Sequence, residues 1–144
     1  MIDTRSGRTP RPACTEATTA MNPAPKRVLL VDDDEEILAA VEAALEQRGY
    51  EVLIARDGSE ALMRVERDLP DLIILDVVMP KRSGFLVLDR IRRIDTRSPR
   101  IIMVTASDEP RHRTFAESRG IDAFVVKPFD LGKLLTKIDS LMEA

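Results

Sequence analysis

Five short apolar runs, separated by segments of helical periodicity, constrain this chain more than any other feature. The runs are VLLV (28–31), VLIA (52–55), LIIL (72–75), IIMV (101–104) and FVV (124–126). Four of them are unbroken rather than alternating, the texture of strands covered on both faces. Between them the spacing turns helical. Ile37, Leu38, Val41 and Leu45 share one face, with Asp34 as a candidate N-cap, Glu35 and Glu36 at the positive end of the helix dipole, and Gly49 placed to end the helix. A second segment over about 58–67 carries Ala61, Leu62 and Val65. A third from about 84 carries Phe85, Leu88 and Ile91. A fourth over about 110–119 offers little beyond Phe115 and Ala116. The last, from about 130, shows Leu131, Leu134, Leu135, Ile138, Leu141 and Met142. Five alternations of strand and helix imply an α/β, doubly wound parallel sheet with helices on both faces, joined by right-handed crossovers.

The remaining residues narrow the setting. A chain of 144 residues has room for one domain with a proper core. Residues 1–25, rich in Thr, Pro, Ala and Arg, lack apolar periodicity and read as a disordered N-terminal tail, with Met21 as an alternative start. The domain then spans 26–144. The lone Cys14 cannot close an internal disulfide, which favours a reducing, cytoplasmic compartment. No apolar run approaches the ~20 residues of a membrane span, and the N-terminus lacks a signal-type apolar core. A net charge of −3 supplies no basic field for nucleic acid or an anionic membrane.

The chemistry lies at the strand ends. Asp32 and Asp33 follow the first run, Asp76 the third, Thr105 the fourth, and Lys127 with Pro128 the fifth. In a parallel sheet these ends share one edge, the edge at which open α/β sheets bind ligands. Carboxylates crowded together repel one another, and a divalent cation resolves the conflict. Oxygen ligands suit Mg2+, while the lack of cysteine here, with the single His112 far along the chain, argues against Zn2+. A hard cation beside a carboxylate, a lysine and a hydroxyl is a phosphoryl-transfer arrangement. The cation and Lys127 neutralise the equatorial oxygens, Thr105 donates to one of them, and a carboxylate attacks. Asp76, ending the middle of the three strongest runs, is the candidate nucleophile, and its product is an aspartyl phosphate.

The segments VLLVDDDEEIL, LIILDVVMPKRSG, IIMVTAS and DAFVVKPF, in this order and spacing, resemble the receiver domain of bacterial response regulators, the phosphoacceptor of two-component systems. The resemblance covers residues 26–144. It implies a flavodoxin-like sheet of strand order 2-1-3-4-5, an order that alternation alone leaves open. It also implies Asp76 as phosphoacceptor, Asp33 as direct metal ligand, Asp32 as its partner through water, and the carbonyl of Val78 as a further Mg2+ ligand. Lys127 matches the lysine that contacts the phosphoryl group, with a cis bond to Pro128. Thr105 matches the switch hydroxyl, and Phe124 the aromatic that turns inward when that hydroxyl is drawn to the phosphate. The implied partners are a histidine kinase or histidine phosphotransfer protein, and a downstream protein on the face made by the fourth helix, fifth strand and fifth helix, with a homodimer through that face left open.

Two positions depart from the commonest pattern: Val78 is apolar and Ser107 small and polar. Val78 brings no group to orient attacking water, so slow loss of the phosphoryl group is the expectation, and loss within seconds in Mg2+ would refute it. Lys81 and Arg82 are more basic than usual. Asp34 reads as a helix cap rather than a metal ligand, and His112 as a solvated residue of the fourth helix. Arg111, Arg113 and Arg119 read equally as a wet face or a partner surface. A haloacid-dehalogenase-type phosphatase would need a second acid where Val78 stands, so the chain reads as a signalling domain and not an enzyme. The end at SLMEA leaves no room for a helix-turn-helix, so a stand-alone receiver is expected. The alternatives are a fragment of a DNA-binding regulator and a receiver-like adaptor that works without phosphorylation.

Overall fold

The computed structural model describes residues 25–77, 84–94, 99–106 and 109–143. Strands β1 (Arg27–Val31), β2 (Glu51–Ala55), β3 (Leu72–Asp76), β4 (Arg100–Thr105) and β5 (Ala123–Val126) alternate with helices α1 (Glu35–Gln47), α2 (Gly58–Asp68), α3 (Gly84–Ile94), α4 (Pro110–Ser118) and α5 (Leu131–Glu143). All neighbouring strands pair in parallel, in the order β2-β1-β3-β4-β5. This is the doubly wound sheet expected from the sequence.

Strand period splits the core in two. Leu29, Val31, Ile73, Leu75, Ile101 and Met103 face α2, α3 and α4. Val28, Leu30, Leu72, Ile74, Ile102 and Val104 face α1 and α5. Successive side chains of a strand point to opposite faces, so an unbroken apolar run feeds both layers at once. The three central strands are buried almost throughout, whereas β5 is only half-buried along its length.

Helix ends follow local chemistry. The Asp34 carboxylate accepts from the N–H groups of Glu36 (3.0 Å) and Ile37 (3.3 Å), and Asp57 caps α2 through the N–H of Glu60 at 2.9 Å. Gly49 ends α1 at φ +90, its N–H donating to the Glu46 carbonyl. Leu69 ends α2 in the same left-handed region at φ 49, a conformation a branched side chain seldom takes and that nothing in the sequence signals. Helix α4 is the least anchored: it buries Ala116 alone, and Glu109 makes no side-chain cap.

No helix among the described residues is long and apolar enough to cross a membrane. Cys14, Val78, Lys81, Arg82 and Ser107 lie outside the described residues.

Candidate functional site at the carboxyl edge of the sheet

Register brings the site together. Val31 pairs with Leu75, so one step further along β1 and β3 sets Asp32 level with Asp76. Asp76 pairs with Val104, and the next residue, Thr105, ends β4 opposite Val126. Lys127 follows at once. Carboxylate oxygens of Asp32, Asp33 and Asp76 lie within 4.8 Å of one another. Asp32 and Asp76 are nearly sealed, at 4% and 5% exposure, and Thr105 is fully buried. Asp33 stays exposed. Nζ of Lys127 reaches Oδ2 of Asp32 at 3.0 Å and Oδ1 of Asp76 at 3.7 Å.

Backbone contacts hold these groups in place. The N–H of Asp32 donates to the Ala55 carbonyl at 3.2 Å, and its Oδ1 accepts from the N–H of Asp34 at 3.0 Å. The N–H of Lys127 donates to the Thr105 carbonyl at 2.7 Å, and the peptide bond to Pro128 is cis. Past β3, the N–H of Val77 donates to Val104, and the Val77 carbonyl accepts from Gly84 at 2.7 Å. The start of α3 is thereby clamped against the strand end that carries Asp76.

The family model described as the response regulator receiver domain matches residues 28–139. The chain belongs to the response regulator receiver family. Among curated relatives, it is 37% identical over 117 residues to the alkaline phosphatase synthesis transcriptional regulatory protein PhoP of Bacillus subtilis, covering 81% of this chain and 48% of that protein. It is 39% identical over 116 residues to the response regulator MprA of Mycobacterium leprae, covering 81% and 50%. The receiver spans about half the length of the curated relatives it matches. A CheY-like receiver structure from Methanospirillum hungatei superposes with a TM-score of 0.79 at 33% identity, covering 83% of this chain and 94% of that one. Chemotaxis protein CheY4 of Vibrio cholerae gives 0.75 at 34%, covering 81% and 98%.

The oxygen-only donor set of this receiver fits the hard divalent cation that its family binds. Carboxylate oxygens suit Mg2+, and two of the three carboxylates are shut away from bulk water. The Lys127 ammonium offsets one of the three negative charges. Burial works to lower its pKa. The hydrogen bond to Asp32 and the charges of Asp76, Asp32 and Asp34 work the other way and prevail, so it is held above the ordinary lysine value. At neutral pH it stays charged beside the carboxylates.

On the α4 side the receiver departs from the sequence reading. His112 is only partly solvated. Its side chain is 29% exposed, its ring centroid lies 5.4 Å from that of Phe85, and among the described residues its Nδ1 is buried without a hydrogen-bond partner. Phe115 meets Phe85 edge-on at 5.0 Å, and the Arg119 guanidinium covers Phe115 at 4.5 Å while pairing with Asp89. Phe124 packs half-buried on the α3/α4 side of the sheet beneath the guanidinium of Arg113. Sequence reasoning gave no role to Gly84 or to a pairing of Arg113 with Phe124. The glycine ending the segment LIILDVVMPKRSG was the available signal for the first, and no local pattern signals the second.

Proposed function

We propose that this receiver takes a phosphoryl group from a phosphohistidine of a histidine kinase or phosphotransfer protein onto Asp76. Asp32, Asp33 and Asp76, with the carbonyl of Val78, would hold Mg2+. Bound there, the cation supplies charge neutralisation for the phosphoryl oxygens. An Asp76 carboxylate oxygen bonds to phosphorus as the phosphorus–nitrogen bond breaks, and the donor imidazole leaves with that electron pair. Lys127, fixed by Asp32, pairs with a phosphoryl oxygen, and the Thr105 hydroxyl donates to another. Asp32 and Asp33 would serve as ligands. The observation that carries the reading is Lys127 Nζ within 4 Å of both Asp32 and Asp76 at a nearly buried strand end.

The receiver unit occupies residues 26–144, with residues 1–25 outside it, a boundary supported by β1 starting at Arg27. The signal leaves through the α4-β5-α5 face to a downstream protein or a second copy. The poor anchoring of α4 supports that choice. The role is that of a phosphoacceptor in the cytoplasm, not of an enzyme. Val78 supports slow loss of the phosphoryl group.

A second reading is favoured by the relatives. PhoP of Bacillus subtilis and DltR of Streptococcus agalactiae are transcriptional regulatory proteins, and the chain matches about half of each. On that reading the receiver governs a DNA-binding partner or neighbouring domain, and binds no nucleic acid itself.

Intact-protein mass after incubation with Mg2+ and acetyl phosphate tests the proposal, for wild type and Asp76→Asn. A gain of one phosphoryl group in wild type, absent in the variant and without Mg2+, is the expected result. No gain in the folded wild-type protein would refute phosphoacceptor chemistry and leave a receiver-like adaptor.

A further inference from the structure

The Cζ of Arg113 stands 4.9 Å from the centre of the Phe124 ring, and among the described residues Arg113 has no carboxylate partner. Its neighbours differ: Arg111 pairs with Glu109, and Arg119 with Asp89. Among the described residues the face of Phe124 is therefore the one attachment of this exposed guanidinium, and it joins α4 to β5.

Sheet register gives the contact a consequence. Met103 pairs with Phe124 and Thr105 with Val126. Alternation puts Met103 and Thr105 on one face of β4, and Phe124 and Val126 on the same face of β5. Phe124 and the buried Thr105 are thus diagonal neighbours on the α3/α4 side. A ring that moved toward Thr105 would leave the guanidinium behind.

We propose that Arg113 is a positioning residue that holds Phe124 in its resting place under α4 and so sets the threshold of the switch. The proposal rests on the reading of Thr105 and Phe124 as that switch. A cation over an aromatic face is attracted by the ring quadrupole, and the attraction exists only while the two are stacked. It therefore weights the resting rotamer against the inward one by the whole strength of the contact. The ring is half-buried, so this strength is that of an accessible pair. The remaining hold of α4 on the sheet is slight, with Ala116 its sole buried residue. Freed of Arg113, Phe124 gains inward population without any phosphoryl group.

The test uses the full chain, with Arg113→Gln to remove the charge and Arg113→Lys to retain a cation. Phe124 is one of four phenylalanines, so its χ1 populations can be read by three-bond couplings to a labelled Cγ. In ligand-free protein, Arg113→Gln should raise the inward-to-resting ratio about two- to five-fold, the ratio corresponding to about 0.5–1 kcal/mol. Arg113→Lys should lie closer to wild type. The apparent midpoint for Mg2+ with beryllofluoride, a phosphoryl analogue, should fall by the same factor, because affinity scales with the competent fraction. Amides of Asp33, Asp76 and Lys127 report site occupancy separately. Their silence would refute the phosphoacceptor reading while the ligand-free ratio still decides on Arg113. An unchanged ligand-free ratio in Arg113→Gln would overturn the proposal.

Discussion

A side chain on Gly84 would collide with Asp76: an added Cβ lies 2.3 Å from the Asp76 carbonyl oxygen and 2.7 Å from the Cα of Val77. Neither obstacle is a flexible side chain, so one backbone must move. The hydrogen bond from Gly84 to the Val77 carbonyl ties that movement to the strand end. Gly84→Ala should cost about 1–3 kcal/mol in urea unfolding, the range for overpacking a tight contact. It should also slow phosphoryl uptake at Asp76. Wild-type stability and uptake would show that the approach is relaxed elsewhere.

Lys127 and a divalent cation compete for the same carboxylates. Lys127→Met deletes a cation that is 3.0 Å from Asp32. Mg2+ should then bind more tightly, by up to about five-fold if the pair is worth ~1 kcal/mol, as for partly exposed ion pairs. Phosphoryl uptake should fall instead, because the phosphoryl oxygens lose a counter-charge. Calorimetric Mg2+ titration beside intact-mass kinetics reads both, and losses in both together would mean that the variant simply disrupts the site.

Asp34 adjoins the acidic cluster yet its Oδ1 caps α1. Asp34→Ala should lower stability by about 1 kcal/mol, the usual cost of losing an N-cap. The N–H of residue 34 that holds Asp32 is backbone and survives the change. The final extent of phosphorylation should therefore match wild type, and a loss comparable to that of Asp33→Asn would assign Asp34 to the metal instead.

Tyr50 is the single tyrosine, and the chain has no tryptophan, so tyrosinate absorbance reports one site. Burial and the hydrogen bond it donates to Asp139 at 2.7 Å push its pKa up to about 12. Arg48 also pairs with Asp139, tying the end of α1 to α5. A phenol whose folded pKa is raised contributes its full stability below the unfolded value, roughly 10, and loses it as pH climbs toward the folded one. Alkaline titration should give a midpoint near 12 in folded protein and the ordinary value in urea. Asp139→Asn should lower the folded midpoint, and an unshifted titration in wild type would contradict the contact.

Much of this receiver is legible in its sequence because its signals are local. A run such as LIIL reads as a strand wherever it packs, and Asp34 caps a helix through the N–H groups two and three residues further on. Asp32, Asp33, Asp76, Thr105 and Lys127 could be assigned to one edge because parallel strands must end together. What tertiary structure alone decided involves residues far apart in the chain. Alternation cannot order the strands, since every order of parallel strands leaves the same local pattern. The pairing of Lys127 with Asp32, the press of Gly84 on Asp76, the packing of His112 against Phe85 and the stacking of Arg113 on Phe124 depend on distances that register and helix packing set. Charge and hydropathy make His112 and Arg113 look like solvent-facing residues. Only the packing of α4 beside Phe85 and Phe124 gives them partners, because a short helix with little apolar surface takes its contacts from whatever its neighbours present.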